Sequence, residues 1–379
     1  MDTIPYGCQT IEDEDVAAVV AALNSGWLTT GPQVDAFELA FAAFCGARCG
    51  VAVNSGTAAL HAAIRALKIG TGDEVMVPAI TFVASANCAA YEGATPVFAD
   101  VDPQTLLIDP ASVAARITER TEAIVVVDYA GQPADWDEID ALAKKHGVAR
   151  VADACHSPGG SYKGRAVGTL ADISAFSFHP VKHLTTAEGG MAVTDNESFA
   201  DAMRRFRNHG IDSDHRQRAE RGAFAYDMLE LGYNYRLSDI QCALGLAQLS
   251  RLAAWVSRRQ EIASAYGNAF ASVPFVRPLM AKPDRAHAYH LYVVELDVEE
   301  LGFDRAEALN RLRTAGIGVN VHYGPVHLMS YYRERFGYSR GLCPIAERMS
   351  ERILTLPIYP GMSDSDQARV IEAVSGLRA

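Results

Sequence analysis

The chain has 379 residues, more than one simple hydrophobic core usually needs, so two domains are expected. Its 34 Lys and Arg against 46 Asp and Glu give a net charge of -12, which argues against nucleic acid as a partner because phosphate backbones are bound by basic patches. Apolar runs are too short to span a bilayer, and the N-terminus lacks a signal pattern, so we expect a cytoplasmic protein without a membrane partner. The seven scattered cysteines show no metal-ligand spacing, which is typical of free thiols and predicts no metal.

Between residues 49 and 195, short apolar runs alternate with helical patterns. The strand-like runs are CGVAVN (49–54), DEVMVP (73–78), TPVFADV (95–101), AIVVVDY (123–129), ARVADA (149–154), DISAFSF (172–178) and GMAVTD (190–195). Helical patterns occupy residues 55–70, 81–93 and 137–147. This alternation predicts an α/β fold with a mostly parallel sheet covered by helices on both faces.

The pattern changes after Arg236. Residues 238–270 read as one long helical stretch leading out of the first domain. An apolar run (288–296), a helix near 304–315, the segment GIGVNVHY (316–323) and a final helix near 363–377 follow. We therefore expect a large domain over residues 1–250 and a smaller α+β domain over residues 251–379.

Ligands of parallel α/β sheets gather at the carboxyl ends of the strands, so the residues just past each strand are the candidates. The first is the turn at residues 54–58, where Gly56 lets backbone amides approach a ligand and the new helix suits a phosphate. Thr57 adds a hydroxyl. The alternative is a simple helix cap by Ser55 or Thr57.

Asp153 ends an apolar strand and needs a cationic or hydrogen-bond-donating partner if it is buried. A protonated ring nitrogen would serve, whereas a capping aspartate is the alternative. His156 either bonds a ligand or satisfies its own loop. Phe82 either stacks on an aromatic cofactor or packs in the core.

Lys182 follows the apolar run that ends at Phe178, on a turn that closes with Gly189 and Gly190. A solvated loop lysine is the ordinary interpretation. The alternative is an amine held in a cleft to react with a carbonyl. The order of phosphate turn, aromatic side chain, Asp153, Ser177 and Lys182 on one sheet favours the second, because pyridoxal phosphate chemistry requires this set.

Several long motifs, in order, resemble the DegT/DnrJ/EryC1/StrS family of fold-type-I, pyridoxal 5'-phosphate-dependent nucleotide-sugar aminotransferases. They are VNSGTAALHAAI, PAITFVASANCAAYEGATPVFADVD, DACHSPGGSYKGRAVG, FSFHPVKHLTTAEGG and GYNYRLSDIQCALGLAQL. The resemblance extends from residue 4 to residue 362. It implies the fold-type-I architecture, with a large mostly parallel sheet domain and a smaller C-terminal α+β domain.

The resemblance also assigns roles by position. Lys182 becomes the lysine that joins the cofactor covalently, and Asp153 becomes the partner of the pyridine nitrogen. The implied cofactor-binding residues are Gly56, Thr57, Phe82, Asp153, His156, Ser177, Lys182 and Asn234. Asn234, an ordinary turn residue by composition, would reach the neighbouring subunit's cofactor, which implies a homodimer with shared active sites. The implied substrate-pocket residues are Tyr6, Trp27, Leu28, Thr29, Asn320, Val321, His322 and Tyr323.

Within the family, AGQPADWDEI (130–139) and SFHPVK most resemble the transaminases of pseudaminic acid biosynthesis. These aminate C4 of a UDP-linked 4-keto-6-deoxy-N-acetyl hexose, with L-glutamate as donor. Alternatives are UDP-4-keto-arabinose or a dTDP- or GDP-linked 4-keto-6-deoxyhexose as acceptor and, more remotely, a non-catalytic binding or regulatory protein of the same fold. Lys182 disfavours sugar dehydration, since relatives with that activity have histidine there.

An acidic protein must bind a diphosphate through local donors, and Arg236, His209 and His322 are the candidates, each with a structural role as the alternative. The sequence also departs from the family pattern at two places. His183 and Leu184 replace the expected Pro-Ile after the lysine, and Asp128-Tyr129 stands where His-Phe is common.

Overall fold

The computed structural model describes residues 3–213, 216, 218, 222 and 224–378. In these residues a seven-stranded sheet has the order β1-β9-β8-β5-β4-β2-β3. The strands are β1 (Cys49–Val53), β2 (Glu74–Pro78), β3 (Thr95–Ala99), β4 (Thr121–Val127), β5 (Ala149–Asp153), β8 (Ile173–Ser177) and β9 (Gly190–Thr194), with β6 (Ser161–Tyr162) and β7 (Arg165–Ala166) outside this sheet. Only β9 runs antiparallel to its neighbours, β1 and β8. The prediction of a mostly parallel sheet is confirmed.

Short and medium helices pack on this sheet and on the smaller C-terminal part. Within the described part of the chain they are Asp13–Asn24, Pro32–Phe44, Gly56–Ala66, Ala84–Tyr91, Pro110–Ala114, Trp136–His146, Glu197–Phe206, Asp239–Leu249, Leu252–Phe270, Val298–Leu301, Arg305–Thr314, Ser330–Phe336, Pro344–Ser350 and Asp364–Ser375. Most of β4 is buried, as expected of a parallel strand with both faces covered. The helix Gly56–Ala66 packs on β8 and β9, which places its N-terminus at the carboxyl edge of the sheet.

Buried apolar residues form two clusters. The larger surrounds the seven-stranded sheet and includes Trp136 and Phe176. The smaller contains Ile4 and residues between positions 262 and 377. It surrounds a second sheet made of β10 (Val276–Pro278), β12 (Tyr292–Leu296) and β13 (Ile353–Leu356), while β11 (Arg285–Ala286) pairs with β6. The larger cluster also takes in Ile353 of the C-terminal part, so the division at residues 250 and 251 stays a prediction.

Several predicted boundaries are wrong in detail. Residues 238–270 form two helices, not one, because the first ends at Leu249 and the second begins at Leu252. Both halves are apolar at helical spacing, so periodicity alone does not show the break. Segment 316–323 contributes only isolated bridges, at Ile317 and Asn320.

Two helices are also shorter than predicted. The helix predicted over residues 55–70 ends at Ala66, and Lys68 already has a left-handed backbone with φ of 61°. The helix predicted from residue 81 begins at Ala84. Phe82, expected one turn inside that helix, therefore precedes it and lies on the loop that follows β2. None of the described helices is long and apolar enough to cross a membrane.

Candidate active site

A cavity of about 610 Å³ opens at the carboxyl ends of β1, β4, β5 and β8. Eleven of the residues singled out in the sequence contribute to its lining: Tyr6, Gly56, Thr57, Phe82, Asp153, His156, Ser177, Lys182, Asn320, His322 and Tyr323. Val321, from the same segment, lines it too. The chain thus brings together residues from its first ten positions, from the sheet, and from the segment before β13.

Lys182 lies on a compact loop between β8 and β9. Its amide donates to the carbonyl of His179 at 2.9 Å, and the Thr186 amide donates to the carbonyl of Phe178 at 3.0 Å. Burial lowers the pKa of the Lys182 amine, although the nearby Cys155 and Asp153 act to raise it. A lowered pKa increases the fraction of neutral amine, which is the form that attacks a carbonyl.

Asp153 is 6% exposed at the end of β5. Its Oδ2 accepts from the Ser85 hydroxyl at 2.6 Å, and its Oδ1 accepts from the Cys155 amide at 3.3 Å. The Thr81 hydroxyl lies 2.7 Å from Ser85 and completes the chain of polar groups. Among the described residues no lysine or arginine forms an ion pair with Asp153, so its carboxylate suits a cationic group brought by a ligand.

The turn after β1 is a helix N-terminus with almost no space for side chains. The Ser55 hydroxyl accepts from the Ala58 amide at 3.1 Å, so Ser55 is the helix cap. A Cβ added at Gly56 would lie 2.8 Å from the Cβ of Ser177 and 3.2 Å from the Sγ of Cys155. Glycine is therefore required for close packing here, and the free amides of the first turn face a site suited to a phosphate.

His156 is buried beside the carboxylate. Its Nε2 lies 3.3 Å from the Tyr323 hydroxyl, while its Nδ1 is buried without a partner among the described residues. Burial holds the pKa of His156 well below its usual value, so the ring is neutral. A buried ring nitrogen without a partner costs free energy unless a ligand or water meets it.

Aromatic residues form the opposite side of the cavity. Phe82 is 52% exposed, and its ring centroid lies 6.0 Å from that of Tyr323. The Tyr6 ring lies 5.4 Å from His322, whose Nδ1 is 2.9 Å from the Thr355 hydroxyl. Burial lowers the pKa of His322 to about 4, so this candidate donor to a diphosphate is neutral at pH 7. It can donate a hydrogen bond, but it brings no charge.

The remaining predicted residues lie outside the cavity lining of this chain. Trp27, Leu28 and Thr29 are exposed on the loop before the helix Pro32–Phe44. Asn234 is exposed, and the Nη1 of Arg236 donates to the Oδ1 of Asn208 at 2.8 Å. Their predicted roles in cofactor or substrate binding, and those of the cavity residues, stay predictions.

Three residues of the site had no signal in the sequence. Ser85 bonds Asp153 from 68 positions away, and nothing in its own helix distinguishes it. His290 lines the cavity and packs on His156, with ring centroids 4.4 Å apart. Cys155 was noted only as one of seven thiols, yet its Sγ contacts the phosphate turn.

A comparison with family models matches residues 9–375 to the DegT/DnrJ/EryC1/StrS aminotransferase family. The spore coat polysaccharide biosynthesis protein SpsC of Bacillus subtilis (strain 168) is 44% identical over 376 residues, which cover 99% of this chain and 97% of the relative. The PMP form of Spr1654 from Streptococcus pneumoniae has a TM-score of 0.93 at 32% identity and covers 99% of both chains. Helicobacter pylori PseC, an aminotransferase involved in the biosynthesis of pseudoaminic acid, has a TM-score of 0.92 at 32% identity, covering 98% of both chains.

The chain belongs to the DegT/DnrJ/EryC1/StrS aminotransferase family. It is a pyridoxal phosphate-dependent enzyme with the fold-type-I architecture, and Spr1654 has been solved in its PLP form as well. The residues present fit this cofactor. The crowded glycine turn leaves backbone amides for the phosphate. Among the described residues, Asp153 forms no ion pair with a lysine or arginine, and the Nδ1 of His156 has no hydrogen-bond partner.

Proposed function

We propose that the protein is a cytoplasmic aminotransferase that moves an amino group from L-glutamate to C4 of a UDP-linked 4-keto-6-deoxy-N-acetyl hexose. This is the activity of UDP-4-amino-4,6-dideoxy-N-acetyl-β-L-altrosamine transaminase in pseudaminic acid biosynthesis. The observation that carries the proposal is the placement of Lys182, Asp153 and the Gly56 turn around one cavity of about 610 Å³. The similarity to PseC supports the choice of acceptor.

Each residue of the site has a role in this reaction. Bound pyridoxal phosphate supplies an aldehyde that links to amines and a ring that accepts electrons. Lys182 would hold the cofactor covalently and, once displaced, would carry a proton from the donor's α-carbon to the cofactor's aldehyde carbon on the other side of the amino nitrogen. Such general acid–base catalysis contributes typically ~10²–10⁴-fold. Asp153 keeps the ring nitrogen protonated, and the Ser85 hydroxyl keeps the carboxylate oriented.

The composition of the cavity lining bears on the proposed homodimer. Lys182 is the one lysine or arginine among the described residues that line the cavity, yet both the donor and the diphosphate of the acceptor are anionic. Asn234 and the exposed loop with Trp27 lie outside this lining. We infer that a second copy of the chain completes the site, with Asn234 at the neighbour's cofactor phosphate and Arg236 at the diphosphate.

The test is incubation of the protein with glutamate, pyridoxal phosphate and a panel of UDP-, dTDP- and GDP-linked 4-keto sugars, including UDP-4-keto-arabinose. Mass spectrometry and NMR identify the aminosugar and the position of its new amine. We expect a C4 amine on the UDP-linked 6-deoxy-N-acetyl hexose. Preference for a dTDP, GDP or pentose acceptor would replace the acceptor assignment, and release of deoxygenated sugar and ammonia would replace the reaction.

A further inference from the structure

The residue after the reactive lysine is buried and bonded to the segment that leads into β12. His183 is 2% exposed, and its Nε2 lies 2.9 Å from the carbonyl oxygen of Ala288. A carbonyl oxygen only accepts, so Nε2 carries the ring proton. The histidine thereby joins the Lys182 loop to a segment 105 positions further along the chain.

The same ring begins a row of three imidazoles. The centroid of His183 lies 5.5 Å from that of His290, and His290 lies 4.4 Å from His156. All three rings have a buried Nδ1 without a partner among the described residues. Burial holds the pKa of each ring well below its usual value. The row is therefore neutral and places buried, uncharged rings beside the lysine.

The far side of Lys182 has space for little water. A void of about 10 Å³ lies there, with Lys182 and His183 among its lining residues, next to Cys8, Trp255 and Pro360. This volume is about that of one water-sized probe. Lys182 thus separates the large cavity from a small rear void, and His183 borders that void.

We propose that His183 is a positioning residue that keeps Lys182 dry and reactive. Its bond to Ala288 fastens the lysine loop against the segment carrying His290 and closes the rear void to solvent. Loss of the bond would release the loop, admit water behind the lysine and stabilise its charged form. This inference rests on the proposed function only through the role given to Lys182. Neither the inference nor its test involves an amino donor or an acceptor sugar.

Two substitutions separate the bond from the other features of the ring. In His183→Gln the side-chain amide nitrogen occupies the place of Nε2 and can still donate to Ala288, whereas in His183→Asn the polar atoms lie near the place of Nδ1 and the bond is lost. His183→Ala removes the ring altogether and serves if the Asn variant does not fold. His287→Asn is the control, because His287 belongs to the same segment but lines a different cavity.

The measurement is the pH dependence of Lys182 acetylation by acetic anhydride, followed by mass spectrometry, in the enzyme loaded with pyridoxamine phosphate. Removal of water lowers the pKa of an amine. When water is readmitted, the pKa of Lys182 rises, and the pH midpoint of its acetylation rises with it. We expect His183→Asn and His183→Ala to raise the midpoint by about one unit. His183→Gln and His287→Asn are expected to match the wild type.

Apart from position 183, and position 287 in the control, the charged and titratable groups around the lysine are the same in every variant. They are Asp153, Cys155, His156, His290 and His322 near Lys182, and Arg259 and His287 near His183. Two outcomes would overturn the proposal. One is an equal midpoint in all variants, and the other is a wild-type midpoint in His183→Asn together with a shifted midpoint in His183→Gln. A wild-type protein that binds no pyridoxal phosphate contradicts the proposed function instead, and the midpoints of the variants can then be compared in the apoprotein.

Discussion

The surroundings of Lys182 favour its predicted reactivity. The loop between β8 and β9 fixes its backbone, burial lowers the pKa of its amine, and Asp153 and Cys155 moderate that shift. A surface lysine has none of these features. Composition leaves open whether Lys182 is reactive or solvated, and these surroundings favour the reactive lysine, which stays a prediction.

We expect Lys182→Ala to fold, to lack the visible absorption of the cofactor–lysine link, and to lose turnover by at least ~10²-fold, because Lys182 is the one amine side chain among the described residues that line the cavity. Absorbance spectra and single-turnover assays with glutamate measure both effects. Lys144→Ala, on an exposed helical face, is the matched control and should behave as the wild type. Normal turnover in Lys182→Ala would exclude the assigned role.

The helix Gly56–Ala66 shows how an element builds half of a binding site. Its cap, Ser55, starts the helix at the sheet edge, and its first residue has no side chain, so Ser177 and Cys155 can pack against the turn. The same close packing leaves the first amides free for a phosphate. A helix that began one residue later would lose both properties.

Gly56→Ala should weaken cofactor binding by about tenfold or more and destabilise the protein by about 1–3 kcal/mol, because the added methyl overlaps the Cβ of Ser177 at 2.8 Å. Titration of the apoprotein with pyridoxal phosphate and thermal unfolding measure the two effects. Gly70→Ala is the control, since its Cβ would meet only the carbonyl of Glu92 at 3.7 Å. If both variants bind the cofactor equally well, the turn does not hold the phosphate.

For the whole molecule, the proposed homodimer predicts complementation between two inactive proteins. Asn234→Ala should fold but retain the cofactor poorly, and Lys182→Ala lacks the lysine. Random exchange of subunits makes half of the dimers mixed, and one of the two sites in each mixed dimer has both residues, so about a quarter of the activity should return. The shared site would be contradicted if the mixture were no more active than the separate variants. A fully active wild-type monomer would contradict it as well.

Burial of neutral histidines also makes a prediction about the whole molecule. The pKa values of His156, His183 and His290 lie well below the usual value, and those of His287 and His322 are about 3 and about 4. The unfolded chain binds protons at these rings below pH ~6.5, but the folded chain does not. Their contribution to stability is therefore present above that pH and is lost as the pH falls.

We expect the thermal unfolding midpoint to decrease as the pH is lowered from 7.5 to 5.5. Each histidine that stays neutral lowers the free energy of unfolding by about 1 kcal/mol over this range. Asp128 opposes this trend, because burial raises its pKa to about 7 and favours the folded state at lower pH. Asp128→Asn should therefore steepen the loss. Thermal unfolding at fixed protein concentration across this range measures both, and a midpoint that rises towards pH 5.5 would contradict the expectation.

Much of the fold could be predicted because it follows from local patterns. The runs that became β1 to β5, β8 and β9 are apolar over a few residues and are separated by helical spacing and glycine, so their order was readable, with ends within a few residues. The same order placed Asp153 and Ser177 at the ends of their strands and Gly56 and Lys182 after theirs, and strands that run parallel bring their carboxyl ends to one edge. Chain order alone was sufficient for these residues.

Only the tertiary structure decided what surrounds them. The bond from Ser85 to Asp153 spans 68 positions, and the bond from His183 to Ala288 spans 105, and neither pairing leaves a periodic trace in the sequence. The break after Leu249 likewise has no compositional signal. The sequence by itself determined which residue types stand at the ends of the strands. Burial and long-range contacts decided which of them are dry, neutral and close enough to act, because desolvation depends on neighbours that are distant along the chain.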